Sequence, residues 1–294
     1  MSPAPLLAGV AIAVLAGVVR MRSWHASIMD ACPGQRIRYR DVVVAHLGGA
    51  GFNGLVPLHG GDAVKLALLK RRFQKAPFGL LLGSLGPPAA VEAMLTALLI
   101  GWALSTGVVE SPSAGQIPLP LVGAGAALAA GLLWLLARRA PRLLRDVRRG
   151  MAALRRPHLL FADVAPWVLA ARLLRLGAIA CFLSAVGLPV TLVGVLVVMA
   201  VQGGVGSGGP AGSAVRIAVL TASLPAVAGA RVSVETATAL IVGTQLAAMA
   251  VNLAISLALL AVTLRTTSPR RVLAYCRETA KGLWPAPAAS VTKP

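Results

Sequence analysis

Long apolar segments constrain this chain more than any other feature of its sequence. Segments long enough to cross a hydrocarbon layer about 30 Å thick lie at residues 5–19, 77–104, 117–137, 163–199 and 236–264. Only 13% of the residues are charged, whereas a soluble domain has about a quarter. Because lipid offers no hydrogen bonds to the backbone, such segments must be helical. The sequence therefore predicts an all-α polytopic membrane protein.

The basic residues are unevenly distributed along the chain, which carries a net charge of +19. They cluster after the first apolar segment, before the second, between residues 138 and 156, and after the last, whereas the stretches near 107–116 and 187–189 contain no Lys or Arg. This asymmetry is typical of the positive-inside rule rather than of a nucleic-acid site. It predicts a bacterial-type inner-membrane protein with its N-terminus outside and its C-terminus in the cytoplasm.

The order of the segments predicts one transmembrane domain over residues 1–265. Its halves span about 1–137 and 163–265, a basic cytoplasmic loop at 138–162 joins them, and a partly disordered cytoplasmic tail follows at 266–294. The first segment has no basic residue before it, and Arg20 and Arg22 follow it directly. We therefore expect an uncleaved first helix rather than a signal peptide, with the basic segment 20–40 at the cytoplasmic surface.

Each half contains a stretch rich in glycine and proline. In the first half, residues 41–62 begin and end beside cytoplasmic charge but are too few for two crossings, which predicts a re-entrant element that turns near 48–54 beside a water-filled cavity. In the second half, "VQGGVGSGGPAG" at 201–212 interrupts two apolar runs. Such paired breaks predict two inverted-repeat-like halves with a site at their interface. Ordinary kinked helices that use glycine for close packing are the alternative.

Polar residues within the apolar zone are the candidates for a site. Asn53 and Lys65 can meet an anion while Asp62 orients Lys65 from one turn away, or Asp62 can simply begin a helix. Arg172 and Arg175 share one helix face and either extend to the inner surface or form an anion clamp. The full set of candidate headgroup- or substrate-binding residues is Asn53, Pro57, His59, Gly61, Asp62, Lys65, Arg172, Arg175 and Arg216.

Three further features belong to the same zone. Glu92 follows a double proline, where an ionised carboxylate is costly, and it is either a coupling acid or an arginine-paired structural acid. The cavity backbone is assigned to Gly203, Gly204, Gly206, Pro210 and Gly212. A polar stripe on the last helix predicts contact with other helices or with a lumen, and it consists of Thr238, Gln245, Asn252 and Ser256.

The sequence offers little basis for catalysis. It contains no phosphate-binding loop motif, and its four histidines have no metal-ligand spacing. Cys32, Cys181 and Cys276 imply no disulfide framework. We expect no metal, no cofactor, no nucleic-acid partner and no enzymatic activity.

The run "NGLVPLHGGDAVK" resembles the signature of the lysylphosphatidylglycerol synthase transmembrane-region family, the flippase-like domain, which reads approximately N-x-x-x-P-x-R-x-G-E-x-x-R. Asn53, Pro57 and Gly61 match it, and similar side chains stand at the other three places as His59, Asp62 and Lys65. The second-half P-G-G-x-G element of the family is altered here, with Gln202 at the proline position. After the signature, the family's E-R-x-x-D element is represented by Glu92 alone, with Ala93 and Thr96 at its other two defined places.

The resemblance implies a membrane protein that moves, or helps to export, an anionic or modified lipid between leaflets. The synthases of this family carry a further cytoplasmic domain that makes the lipid, and this chain ends soon after its last helix, so it is expected to bind membrane lipids without making them. Two alternatives stay open. One is a scaffold or regulator of a lipid-modifying enzyme or glycosyltransferase, which docks on the basic stretch 138–156. The other is an ion-coupled transporter of small solutes that uses Glu92 and Asp62.

Overall fold

The computed structural model describes residues 2–35, 37–51, 60–73, 76–107, 131, 141–204, 216–223, 225 and 233–264. Within these ranges the chain forms helices joined by turns, and no residue of them is in a β-strand. The prediction of an all-α protein is therefore confirmed for the described part of the chain.

Four of the described helical spans are long and apolar enough to cross a membrane. They are Pro3–Ala31, Phe78–Ser105, Pro157–Ala185 and Val234–Leu259, with mean hydropathies of 1.5 to 2.0. We call the first α1. The second consists of α4 (Phe78–Gly83) and α5 (Gly86–Ser105), the third is α7, and the fourth belongs to α10, which covers residues 234–264. Of the predicted segment 117–137, only residue 131 is among the described residues.

Shorter helices lie between these spans. They are α2 (Tyr39–Ala50), α3 (Gly60–Arg72), α6 (Pro141–Gly150), α8 (Leu192–Gly204) and α9 (residues 216–223). Two of the long helices contain a single π-helical turn, at Leu160–Val164 in α7 and at Ala239–Gly243 in α10. Each inserted turn rotates the residues that follow it relative to those before it. The seven-residue spacing from Thr238 to Gln245 therefore does not keep these two side chains on one face.

Local sequence sets the helix boundaries. Proline occupies the first turn of α1, α5 and α7, where the missing N–H is not needed for the helix. At the other end of α7, Gly187 adopts a φ of 77°, and the amides of Gly187 and Leu188 donate to Ser184 and Leu183. This is a Schellman ending, which requires a left-handed residue and so favours glycine.

The chain divides into two compact units, and the first comprises Met1–Ile37 and Lys75–Ala248. Its central pair is α1 with α7. A side chain at Gly9 would lie 2.6 Å from the ring of Phe182, and the amide of Ser2 donates to Ala185 at 2.8 Å. Trp24 and Ile28 are buried in the second half of α1, and the indole of Trp24 donates to Ser84 at 2.9 Å. Hence α1 is held along its whole length.

The structure adds detail to two regions of this unit. The first helix extends beyond the apolar segment 5–19, through Arg20 and Arg22 to Ala31, because Trp24 and Ile28 extend its buried face at helical spacing. The predicted loop 138–162 contains helix α6, a short 3-10 turn at Ala152–Arg155 and the start of α7. Glycines explain why α6 is ordered there, since Gly79 and Gly83 of α4 and Gly150 of α6 leave room for backbone contact between the two helices.

The second unit comprises Arg38–Gln74 and Met249–Pro294. In it, α2 packs on α3 through glycine, and a side chain at Gly49 would overlap with the Gly61 carbonyl and approach Lys65. A side chain at Gly51 would lie 2.6 Å from Leu253 and from the Ser256 hydroxyl of α10. Both glycines permit close helix packing, the alternative to lining a cavity. Helix α2 ends at Ala50, within the predicted turn 48–54, and residues 52–54 lie outside the described part of the chain.

Candidate functional site

The candidate site is a cluster of charged side chains inside the first unit. Arg20 of α1 forms an ion pair with Glu92 of α5, and the carboxylate is 22% exposed. Arg20 lies within the span Pro3–Ala31, and Glu92 lies near the middle of the span Phe78–Ser105. This contact is the arginine pairing that was one of the two roles left open for Glu92.

Arg172 joins the same cluster from α7. Its guanidinium donates to the backbone carbonyl of Glu92 at 3.0 Å and to the hydroxyl of Thr96, one turn further along α5. The Thr96 hydroxyl in turn donates to the Glu92 carbonyl at 2.8 Å. Arg172 therefore points toward α5 instead of extending along its own helix to the surface. Arg175, one turn beyond, is exposed.

The second glycine-rich break begins at this cluster. A side chain at Gly203, in the last turn of α8, would lie 2.9 Å from the methyl group of Thr96. Arg216 is the first described residue of α9, is 8% exposed, and donates to the carbonyl of Gln202 at 3.3 Å. The contacts run from Arg172 through Thr96 and Gly203 to Gln202 and Arg216. They bring α5, α7, α8 and α9 together at one place.

Among the described residues, the cluster combines Arg20, Arg172 and Arg216 with one carboxylate, that of Glu92. Arg20 pairs with this carboxylate, and Arg172 donates to the backbone carbonyl of the same residue. Hydrogen bonds from arginine to an anion are among the strong ones, so several arginines in one place suit an anionic ligand. This cluster is called the arginine cluster below.

The second unit holds the other described candidates. The Lys65 ammonium lies 2.7 Å from the Asp62 carboxylate, as their spacing predicts. Lys65 is 7% exposed, and Asp62 lies in the first turn of α3, where the helix dipole favours negative charge. Gly61 supplies the carbonyl that contacts Gly49. The approach of Gly49 to Gly61 holds α2 against α3, whereas the Lys65–Asp62 pair lies within α3.

Several candidate residues lie outside the described part of the chain. They are Asn53, Pro57, His59, Gly206, Pro210 and Gly212. Gly204 is the last residue of α8. Direct contacts therefore bring together Glu92, Arg172, Arg216 and Gly203, whereas the exposed Arg175 makes none of these contacts. Gly61, Asp62 and Lys65 lie on α3 of the second unit.

Two residues of the arginine cluster were not predicted as site residues. Arg20 was interpreted as a marker of topology, and Thr96 as a departure from the family signature. The sequence feature that could have placed Arg20 inside the first helix is the helical spacing of the apolar residues Trp24 and Ile28, which continues the helix beyond Arg20. No local pattern could have identified Thr96, because its role depends on Arg172 and Gly203 from other helices.

Part of the predicted polar stripe on α10 forms hydrogen bonds between helices. Ser256 accepts the Gly51 amide at 2.8 Å and donates to the Leu47 carbonyl at 2.6 Å, which is the predicted contact between helices. Thr238 donates to Val234 of its own helix. Cys32 and Cys181 are free thiols. Within the described ranges, no group of three or more His, Cys, Asp or Glu side chains is placed to hold a metal ion.

Comparison with known proteins gives no assignment. No family model matches the chain, and neither a curated protein nor a solved structure is significantly similar to it.

Proposed function

We propose that this protein is a flippase-like lipid transporter that moves an anionic or modified lipid between leaflets of a bacterial-type cell membrane. The observation that carries the proposal is the arginine cluster, where Arg172 bridges α7 to α5 beside the Arg20–Glu92 pair. A lipid phosphate is complementary in charge to the arginines of this cluster, and arginine binds phosphate in a bidentate manner. The headgroup would exchange with Glu92 as the partner of Arg20 and Arg172.

An apolar groove on α9 supports contact with lipid. Residues of α9 and the start of α10 line this groove of about 570 Å³, which includes Ile217, Thr221 and Val234. It lies on the face of α9 opposite the buried Arg216, where an acyl chain of the bilayer can occupy it. Large exposed side chains on the spans, such as Leu98, Leu169 and Leu173, fit contact with the bilayer.

The remaining parts of the proposal rest on sequence. Kinship with the lysylphosphatidylglycerol synthase transmembrane-region family depends on the run from Asn53 to Lys65. The inverted-repeat relation depends on the two glycine-rich breaks, of which the second begins at the arginine cluster. The inward orientation of the C-terminus depends on the distribution of Lys and Arg. The role proposed here is binding and translocation rather than catalysis.

Lipid exchange in liposomes tests the function. The protein is reconstituted with phosphatidylglycerol carrying a fluorescent label, and the fraction quenched from outside is followed over time. We expect faster exchange than in protein-free vesicles. Arg172→Gln should slow the exchange about tenfold, because charge-assisted hydrogen bonds contribute about 1.5–3 kcal/mol.

Arg22→Gln is the matched control, since it also removes one arginine from a candidate span. Arg22 stacks on the ring of Trp167 at 5.8 Å. We expect less than about a twofold change for this variant, and its folding is checked by size-exclusion chromatography alongside Arg172→Gln. No acceleration by the wild-type protein, for anionic and zwitterionic lipids alike, would contradict the proposal.

The Arg20–Glu92 pair also supports a second candidate, an ion-coupled transporter of small solutes. An acid paired within a span can exchange its partner for a proton or a cation. In the same vesicles, a pH gradient should then drive solute uptake that Glu92→Gln abolishes. Lipid exchange that is independent of the gradient favours the lipid transporter instead.

A further inference from the structure

A second basic surface lies on α6 and the turn that follows it, and it is separate from the arginine cluster. The exposed side chains of Arg145, Arg148 and Arg149, together with Arg155, line a groove of about 450 Å³. Leu144 and Ala152 form its apolar part. We call it the α6 groove. In the described part of the chain, one ion pair involves an arginine of this groove: the Asp146 carboxylate lies 3.9 Å from the Arg149 guanidinium.

The position of α6 is fixed by backbone contact rather than by its charges. A side chain at Gly83 of α4 would overlap with the Val147 carbonyl, and one at Gly79 would meet Leu143 at 2.9 Å. These contacts hold the Leu143 and Val147 side of α6 against α4. The arginines of the α6 groove are therefore presented away from α4 on a helix that is anchored to the first unit.

Neighbouring contacts place the α6 groove at one end of the membrane spans. Helix α4 begins the span Phe78–Ser105, and the span Pro157–Ala185 begins directly after the 3-10 turn. Arg156 donates to Asp30, in the last turn of α1, at 2.7 Å. One span thus ends and two begin around the groove. That level corresponds to the boundary between hydrocarbon and headgroups, where lipid phosphates lie.

We propose that the α6 groove binds the phosphate of an anionic membrane lipid at the bilayer surface. Closely spaced guanidinium groups with a single weak acidic partner suit a phosphodiester, and Leu144 and Ala152 can contact its glycerol and upper acyl chain. The exposed Leu154 beside the groove would enter the acyl region of the same leaflet. The occupant is a lipid headgroup and not free phosphate, since both the apolar lining and the interfacial position favour a lipid.

Native mass spectrometry of the full-length protein tests this site. The protein in detergent micelles is titrated with phosphatidylglycerol and separately with phosphatidylcholine, and the bound lipids are counted. We expect preferential binding of phosphatidylglycerol. Arg145→Gln with Arg148→Gln should weaken it about tenfold, because each interfacial arginine contributes appreciably to the attraction of anionic lipid. Added salt should weaken wild-type binding in the same direction.

The charge-matched control is Arg38→Gln with Arg40→Gln, which removes two exposed arginines from the second unit. It should change binding less than about twofold. The α6 double variant is also made in an Arg172→Gln background, so that lipid bound at the arginine cluster is separated from lipid bound at the α6 groove. If the glutamine variant does not fold, Arg145→Lys with Arg148→Lys replaces it, and it should weaken binding about threefold because lysine lacks the planar fork.

Three outcomes would overturn the inference. The first is an equal loss of phosphatidylglycerol binding in the α6 double variant and in the Arg38/Arg40 control. The second is equal binding of phosphatidylglycerol and phosphatidylcholine by the wild-type protein. The third is displacement of the bound lipid by inorganic phosphate or by an acidic oligonucleotide at matched charge. The last would make the groove a general anion or nucleic-acid site. The test is independent of lipid exchange, so transport can fail while the α6 groove binds lipid, and the reverse also holds.

Discussion

Charged residues within the spans are accommodated at membrane depth by ion pairs and hydrogen bonds. Glu92 accepts from Arg20, while its backbone carbonyl accepts from both Arg172 and Thr96. Lys65 is buried beside Asp62 in the other unit. Each described charge at these positions has a partner within the same unit. The sequence indicated Glu92, Lys65 and Arg172 as unusual, because a charged side chain among apolar neighbours is visible without a structure.

The Arg20–Glu92 pair predicts a measurable coupling. Glu92→Gln should destabilise the protein by about 1–3 kcal/mol, because Arg20 loses its carboxylate in a partly exposed environment. Arg20→Gln should cost a similar amount, and the double variant should cost less than their sum. Thermal unfolding in detergent measures all three. Additive effects would show that the two side chains do not interact.

Helices in this protein approach one another through glycine. The contact between α4 and α6 needs Gly79, Gly83 and Gly150, and the contact between α2 and α3 needs Gly49. Small residues at helix interfaces are typical of membrane proteins because they allow backbones to come close. The sequence left open whether its glycines border a cavity or pack helices. The choice depends on which helix lies opposite, and that is absent from any local pattern.

Gly83→Ala should separate α4 from α6. The added methyl group would overlap with the Val147 carbonyl, which is backbone and cannot rotate away. We expect a loss of about 1–3 kcal/mol in stability, measured by thermal unfolding. Gly101→Ala is the control in the same span, since nothing lies within 4 Å of its added carbon. It should be neutral or slightly stabilising because alanine favours helix. Equal destabilisation by both substitutions would contradict the packing role.

Ser256→Ala should loosen the second unit. The Ser256 hydroxyl links the Gly51 amide to the Leu47 carbonyl and is fully buried, so its removal leaves the amide without this acceptor. We expect a loss of about 0.6–2 kcal/mol in chemical or thermal unfolding. Ser105→Ala, whose exposed hydroxyl bonds to its own helix, should change stability very little. The interpretation fails if the two variants behave alike.

At the scale of the whole molecule, the ends of the spans define which side each segment faces. The Arg156–Asp30 contact puts the end of α1 and the start of α7 at one level, and the turn after Gly187 follows the other end of α7. The positive-inside rule then predicts that the α6 groove faces the cytoplasm and that residues 186–190 face the outside.

Cysteine labelling tests this orientation. Arg149→Cys and Val190→Cys are made separately after replacement of the native cysteines, and both positions are more than half exposed. A membrane-impermeant maleimide should label Val190→Cys in intact cells and Arg149→Cys only after permeabilisation. If Cys32 must be retained, its background should be low, because burial raises the pKa of its thiol above the ordinary value. The reverse pattern of labelling would invert the topology.

The sequence by itself determined the class of protein. Apolar segments must be helical in lipid, so composition and segment length were enough to predict an all-α membrane protein. Four of the predicted apolar segments coincide with long apolar helices in the described part of the chain. The sequence also indicated the pairing of Asp62 with Lys65, since both residues lie on one helix turn. These are local properties, and they depend on side chains near one another in the chain.

Only the tertiary structure decided which charges meet. Arg20 and Glu92 are 72 residues apart, and Arg172 is 80 residues from Glu92. Their meeting depends on how α1, α5 and α7 pack. The same packing places helix α6 within the predicted basic loop, because glycines on α4 let it approach. Long-range contacts of this kind depend on the shapes of facing helix surfaces, and no spacing along one helix encodes them.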